Sequence, residues 1–198
     1  GILIDGLGTL IVAPIIFIIR ILRPLVQLRF GYFSSDRIGH FAFDVEYYLT
    51  QKNFDKDKKH TVDLFFFSGV PANLHFAEMC RRSLVVHPVV KWFYRANEIV
   101  PYGSSHRVMP ARVTSDSRDL KGLFNKSEPQ LQFNSQENQF GERYLREIGM
   151  KDGDRYICLV VRDRTYLEQT YKDRDWSYHA FRDTEIKSYE AAVVALVE

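Results

Sequence analysis

An α/β fold built on an open, mostly parallel, Rossmann-like sheet is what the sequence predicts, on three observations. Apolar runs of strand length alternate with amphipathic runs of helix length. The runs "TVDLFFFSG" (61–69) and "YICLVV" (156–161) are apolar on both faces, as strands covered by helices on both sides are. Polar clusters stand at the ends of those strands or at helix starts, where open α/β sheets receive their ligands.

Length and composition narrow the classes. A chain of 198 residues can bury one real core, and 45% hydrophobic residues place it among folding chains rather than disordered ones. Lys and Arg total 27 against 25 for Asp and Glu, a net charge of +2, too small an excess for a nucleic-acid binder. Cys80 and Cys158 make neither a disulfide framework nor a zinc site.

The elements follow in order. Residues 1–30 are expected to form an apolar, membrane-associating helix. Residues 6–19 carry no charge; as a helix they would span about 21 Å, short of the roughly 30 Å hydrocarbon core of a bilayer. Extension to residues 2–22 reaches spanning length but takes in Asp5 and Arg20, and Pro14 is expected to kink it. Arg20, Arg23 and Arg29 are interleaved with apolar residues, which favours a cytoplasmic, anionic lipid surface. The basic residues come after the apolar run and no small-residue cleavage site follows, which is the wrong order for a cleaved signal peptide. A core helix at a chain start is the alternative.

Residues 31–198 read as one α/β domain. A helix over 39–52 puts Phe41, Val45, Tyr48 and Leu49 on one side. After the charged turn "DKDKKH" comes the strand ended by Gly69. "PANLHFAEMCRRSL" reads as a helix with Pro71 near its start. "LVVHP" is a short strand, and "VVKWFYRANEIVP" a helix stopped before Pro101. Residues 102–140 are polar throughout, a loop long enough to suggest function. "GERYLREIGMKDGDRYICLVVRD" gives a helix, a turn and a strand that ends in Arg162–Asp163. Ile186, Tyr189, Val193 and Leu196 mark a last apolar helix face that no Gly or Pro closes. Since the first residue is Gly, the chain is expected to be part of a longer protein.

Three clusters carry chemistry. In the first, Gly39 lets a backbone approach a ligand at a helix start, Arg37 can hold a phosphate or carboxylate by two hydrogen bonds, and His40 can move a proton near neutral pH. A glycine turn with a satisfied histidine is the plain alternative. In the second, Arg162 and Asp163 close an apolar strand, as a ligand site or as an ion pair. In the third, Asp183 or Thr184 can cap the last helix, beside His179 and Arg182. Asp-x-Asp pairs at 55–57, 152–154 and 173–175 lie beside Lys or Arg and read as solvated turns. HExxH, Cys-x-x-Cys, Walker, GxSxG and GxGxxG motifs are all missing from the sequence.

The segments "SDRIGHFAFDVEYYL", "ICLVVRDRTYL" and "HAFRDTEIKSYEAAVVAL" together resemble the hallmark segments of a family of bacterial glycosyltransferases found with surface-polysaccharide genes. That family is also similar in its apolar, basic-flanked N-terminal segment, and in an Asn and an Arg-rich helix after the first strand, matching Asn73 and Arg81–Arg82. It departs at Val160, where family members tend to carry histidine. The resemblance implies a two-domain, GT-B-type enzyme of which this chain is the N-terminal half, the nucleotide-sugar domain lying outside it. It implies transfer from a nucleotide sugar to a glycan or lipid-linked acceptor at the cytoplasmic face of the inner membrane, with no metal or other cofactor and no nucleic acid. His40, Asp163 or Glu46 would be the base. Arg37, Gly39, Asn73, Arg162, Tyr166, His179, Arg182 and Asp183 would line the substrates, and the half alone is expected to be inactive. Two other readings stand beside it: a membrane-attached transferase with another phosphate-activated donor, and a non-catalytic scaffold of envelope assembly.

Overall fold

The computed structural model describes residues 2–55, 60–162, 164–173 and 175–197. The chain divides into two compact units, residues 1–140 and 141–198.

The first unit is a three-layer α/β structure. Helix α1 (Ile2–Ile21) is followed by β1 (Gln27–Phe33), α2 (Ile38–Phe54), β2 (Thr61–Phe67), α3 (Leu74–Ser83), β3 (Val85–Val86), α4 (Val90–Ile99), β4 (Arg107–Val108) and α5 (Ala111–Ser115). All four strands are parallel, in the order β3-β2-β1-β4. That is the open sheet the alternation of apolar runs foretells, and its parallel strands need connecting helices on its faces.

β1 sorts its side chains by alternation. Leu28, Phe30 and Tyr32 join Phe66, Val12, Ile16, Val90 and Tyr94 in the core under α1 and α4. Phe33 joins Phe65, Phe41, Val45, Ala77 and Cys80 in the core under α2 and α3. Each fully buried apolar side chain contributes roughly 1.5–3 kcal/mol, so the two cores hold the layers together.

Two features of the first unit differ from the sequence reading. The apolar segment does not run to residue 30: α1 ends at Ile21, a turn through Pro24 follows, and residues 27–30 are already inside β1. Arg29, read as a basic flank, faces Asp63 across the sheet. α1 continues through Pro14, and no helix among the described residues is long and apolar enough to cross a membrane. The polar stretch 102–140 also contains β4, α5 and the start of α6 (Ser135–Glu147), elements too short or too polar to show as periodicity.

The second unit holds the end of α6, then α7 (Thr165–Thr170) and α8 (Glu190–Val197). The strand expected at 156–161 does not form. Tyr156, Ile157 and Val160 are all more than half exposed, at 62%, 67% and 83%. A strand is held by its neighbour's hydrogen bonds, and residues 155–162 enter no ladder. Trp176, 3% exposed, is the buried centre here, against Tyr171 and Tyr178.

Candidate functional site

The strand order places a crevice. The chain leaves β1 toward β2 and β3 on one side, and β4 lies on the other side of β1. Between the carboxyl ends of β1 and β4 the connections diverge, which is where open α/β sheets bind ligands. β1 delivers Ser34, Ser35 and the start of α2 to this point, and β4 delivers Pro110 and α5.

Five residues from these two connections interlock. His40, in the first turn of α2, has its Nδ1 2.9 Å from Ser117 Oγ. Ser117 Oγ donates to Asp44 Oδ1 at 3.4 Å. The same Oδ1 accepts the backbone N–H of Arg112 at 2.9 Å. The Arg112 guanidinium donates to Ser34 Oγ at 3.0 Å, tying α5 to the end of β1. Because Ser117 gives its proton to Asp44, its lone pairs face the histidine. Nδ1 then carries the ring proton, and Nε2 is the basic nitrogen.

Asp44 is the group the sequence reading missed. It is 1% exposed, and its Oδ2 has no hydrogen-bond partner among the described residues. Burial pushes its carboxyl above the ordinary range, against the lowering effect of the Arg112 N–H. The signal was present: Asp44 follows His40 by four residues, so the two share one face of α2.

A second buried acid lies beside the first. Asp63 on β2 takes a two-pronged contact from Arg29, Nε to Oδ1 at 2.6 Å and Nη2 to Oδ2 at 2.8 Å. The Tyr48 hydroxyl also donates to Asp63 Oδ2. Burial alone would raise this carboxyl, but Arg29 and Tyr48 hold it below the ordinary range. Tyr48 is pushed up by its own burial and by Asp63.

The other sequence candidates take separate places. Arg37 stands at the N-cap position of α2 without capping it through its side chain. A Cβ on Gly39 would meet nothing within 4 Å, so packing does not demand a glycine there. Glu46 is committed elsewhere: its carboxylate accepts the backbone N–H groups of Gln130 and Leu131. Asn73 caps α3, accepting from Phe76 N at 2.8 Å. Arg81 and Lys91 border a wide cleft of about 630 Å³ near the ends of β2 and β3, and pair with Glu78 and Asp5.

Arg162, Tyr166, Arg182 and Asp183 belong to the second unit. The Arg162 carbonyl accepts from Thr184 N at 3.1 Å. Tyr166 is about half exposed on α7, and Arg182 ends a 3-10 turn. Asp183 does not cap the last helix; it pairs with Arg164 at 2.8 Å. Asp163 and the side chain of His179 lie outside the described residues, as does Asp57 of the first Asp-x-Asp pair.

Two further chemistries find no support. Cys80 is fully buried and its thiol is pushed up to about 12, so it is no nucleophile at neutral pH. Among the described residues no group of three or more His, Cys, Asp or Glu could hold a metal ion. Compared with protein-family models, curated proteins and solved structures, the chain matches none of them.

Proposed function

We propose that this chain is the acceptor-side part of a GT-B-type glycosyltransferase, acting on a membrane-linked glycan or lipid acceptor with a nucleotide sugar as donor. The observation that carries the reading is the interlocked His40–Ser117–Asp44 chain at the divergence of β1 and β4. Transfer needs a base for the acceptor hydroxyl and positive charge for the departing diphosphate.

The residues fit those needs as follows. The acceptor O–H gives its proton to His40 Nε2 as its oxygen bonds to the sugar's anomeric carbon. The bond from that carbon to the diphosphate oxygen breaks, and its electron pair leaves with the diphosphate. Ser117 and Asp44 hold the imidazole in place. Arg37, at the start of α2, meets the charge on the leaving group with no divalent metal.

α1 supports the membrane part of the reading. Its outer face carries Leu7, Leu10, Ile11, Phe17, Ile18 and Ile21, all more than half exposed. Its inner face is fixed to α4, which favours a helix lying along the cytoplasmic surface of the membrane over one that crosses it.

The test is nucleotide-sugar binding and transfer by the full-length protein in detergent, with and without a chelator. Binding that survives chelation, and transfer lost in His40→Ala, are the expected results. The variant gives up one half-buried hydrogen bond, so its stability falls by only about 1 kcal/mol. Transfer retained in His40→Ala removes His40 as the base, and binding lost to the chelator removes the metal-free reading.

A further inference from the structure

The wide cleft at the carboxyl ends of β2 and β3, about 630 Å³, lies in the size range of small-molecule and cofactor sites, roughly 300–1,000 Å³. Three connections build it. β2 ends there in Phe67, β3 ends there in Val86 and turns into α4 through His87, and Arg81 comes from the last turn of α3. Lys91 and Trp92 stand in the first turn of α4, and Asp5 brings α1 into the lining. The transfer chemistry at His40 uses none of these side chains.

Three properties select what it takes. The first is an array of donors. The Arg81 guanidinium lies 5.1 Å from the centroid of the Phe67 ring, and its pair with Glu78 engages only Nη1 among the described residues. That pair joins two exposed side chains, so an incoming anion displaces it at little cost. Lys91 gives an N–H to Asp5 at 2.6 Å, and an ammonium carries three. His87 Nδ1 accepts the Val89 N–H at 3.2 Å, so the ring proton is on Nε2, which donates. The second property is charge. Asp5 is the one acidic side chain among the described lining residues, and Lys91 and Arg95 both pair with it, which leaves positive charge in excess. An anion is attracted. The third is the apolar remainder. Phe67, Val86, Val89 and Trp92 are each only partly buried, so this wall is open to a ligand. Asp5 already accepts from Lys91 and from Trp92 Nε1, so a ligand rich in donors finds no uncommitted carboxylate here. A phosphate joined to an apolar chain meets all three conditions. A nucleotide, whose ribose and base bring donors, does not.

We infer that this cleft holds the phosphate head of a membrane lipid, with Arg81, His87 and Lys91 donating to the phosphate oxygens and the first carbons of the chain lying on Phe67, Val86, Val89 and Trp92. Two observations tie the cleft to its surroundings. α1, which lends Asp5 to the lining, carries the exposed Leu7, Leu10 and Ile11. The carbonyl of Gly69, another lining residue, accepts from Ser35 Oγ at 2.8 Å, in the turn between β1 and α2 that leads to His40. The inference deepens the transferase reading and rests on it for calling this lipid the carrier of the acceptor glycan.

Native mass spectrometry of the full-length protein released from detergent tests this. Farnesyl phosphate is the probe, beside farnesol, inorganic phosphate and uridine monophosphate, with a nucleotide-sugar titration in parallel. Farnesyl phosphate should bind saturably, and the other three should bind about tenfold more weakly or worse, since each lacks the head or the chain. The double variant Arg81→Ala, His87→Ala removes two exposed side chains, so it should keep its melting temperature and lose about tenfold or more in farnesyl phosphate affinity. Equal binding of farnesol makes the cleft an apolar site only. Equal binding of inorganic phosphate or uridine monophosphate gives it to a soluble phosphate, and binding indifferent to the double variant lies elsewhere. Each of these results overturns the inference. Farnesyl phosphate binding without nucleotide-sugar binding keeps the site and removes the donor. Nucleotide-sugar binding alone keeps the transferase and removes this site.

Discussion

Asp63 and Asp44 line one cleft beside α2, and their surroundings act on them with opposite sign. Asp63 is held below its ordinary range, so it stabilises the fold above its unfolded pKa near 4, and that contribution is lost as pH falls through the lower folded value. Asp44 is held above its ordinary range, so its charge opposes folding at neutral pH. That penalty fades as pH falls through the raised value toward the unfolded one. Asp63→Asn should therefore destabilise by about 3–5 kcal/mol at neutral pH, because it leaves Arg29 without its carboxylate. The deficit should shrink below about pH 4. Asp44→Asn keeps an acceptor for the Arg112 N–H and should match or exceed the wild type at neutral pH, the advantage fading in acid. Urea midpoints across that range check both signs. Of these residues only His40 was legible as chemistry, because a histidine at a helix start declares itself. Asp44, between Phe43 and Val45, needs the helix phase before it faces His40. The Arg29–Asp63–Tyr48 cluster joins three segments that only strand register brings together.

At the scale of elements, α1 and α4 show why the two charges in the apolar segment are there. Asp5 pairs with Lys91 at 2.6 Å and Arg95 at 3.1 Å. Arg20 donates to Asn97 Oδ1 at 3.1 Å and to the Val100 carbonyl at 2.9 Å, satisfying the end of α4. Both charges thus belong to a helix–helix contact, and read alone they resemble the flanks of a membrane segment. Gly8 sets the closeness of that contact: a Cβ there would lie 2.4 Å from the Trp92 ring, whereas one on Gly6 would meet nothing within 4 Å. Gly8→Leu should cost about 1–3 kcal/mol by overpacking, while Gly6→Ala should gain about 0.5–1 kcal/mol by stiffening the unfolded chain. In a chain of this length each kcal/mol moves the melting temperature by roughly 2–4 °C, so calorimetry separates the pair. Equal losses in both would mean that α1 does not pack on Trp92. β2, β3 and the helices α2, α3 and α4 were readable because apolar runs of strand length alternate with amphipathic runs of helix length. β1 was hidden because its alternation follows an apolar run without a break, and β4 because two residues carry no pattern.

For the whole molecule the open question is what the outward face of α1 meets. Val12, Ile16 and Ile19 are buried at 5%, 1% and 8%, while Leu10, Phe17 and Ile21 on the same helix are exposed at 70%, 56% and 76%. Burying each exposed apolar side chain in a lipid interface is worth up to about 1.5–3 kcal/mol, whereas a nearby Arg adds about 1 kcal/mol against anionic lipid. With a net charge of only +2, the apolar contribution outweighs the electrostatic one. The protein should therefore float with vesicles containing anionic lipid and stay bound when salt is raised to about 0.5 M, where the Debye length is only a few Å. A Leu10→Glu, Phe17→Glu double variant should stay with the soluble fraction, with its unfolding midpoint within about 0.5 kcal/mol of the wild type, since neither side chain touches the core. Release by salt alone would assign the attraction to Arg23 instead of the apolar face. Failure of the wild type to float would detach the acceptor from the membrane and leave the transferase reading to be judged on soluble glycans.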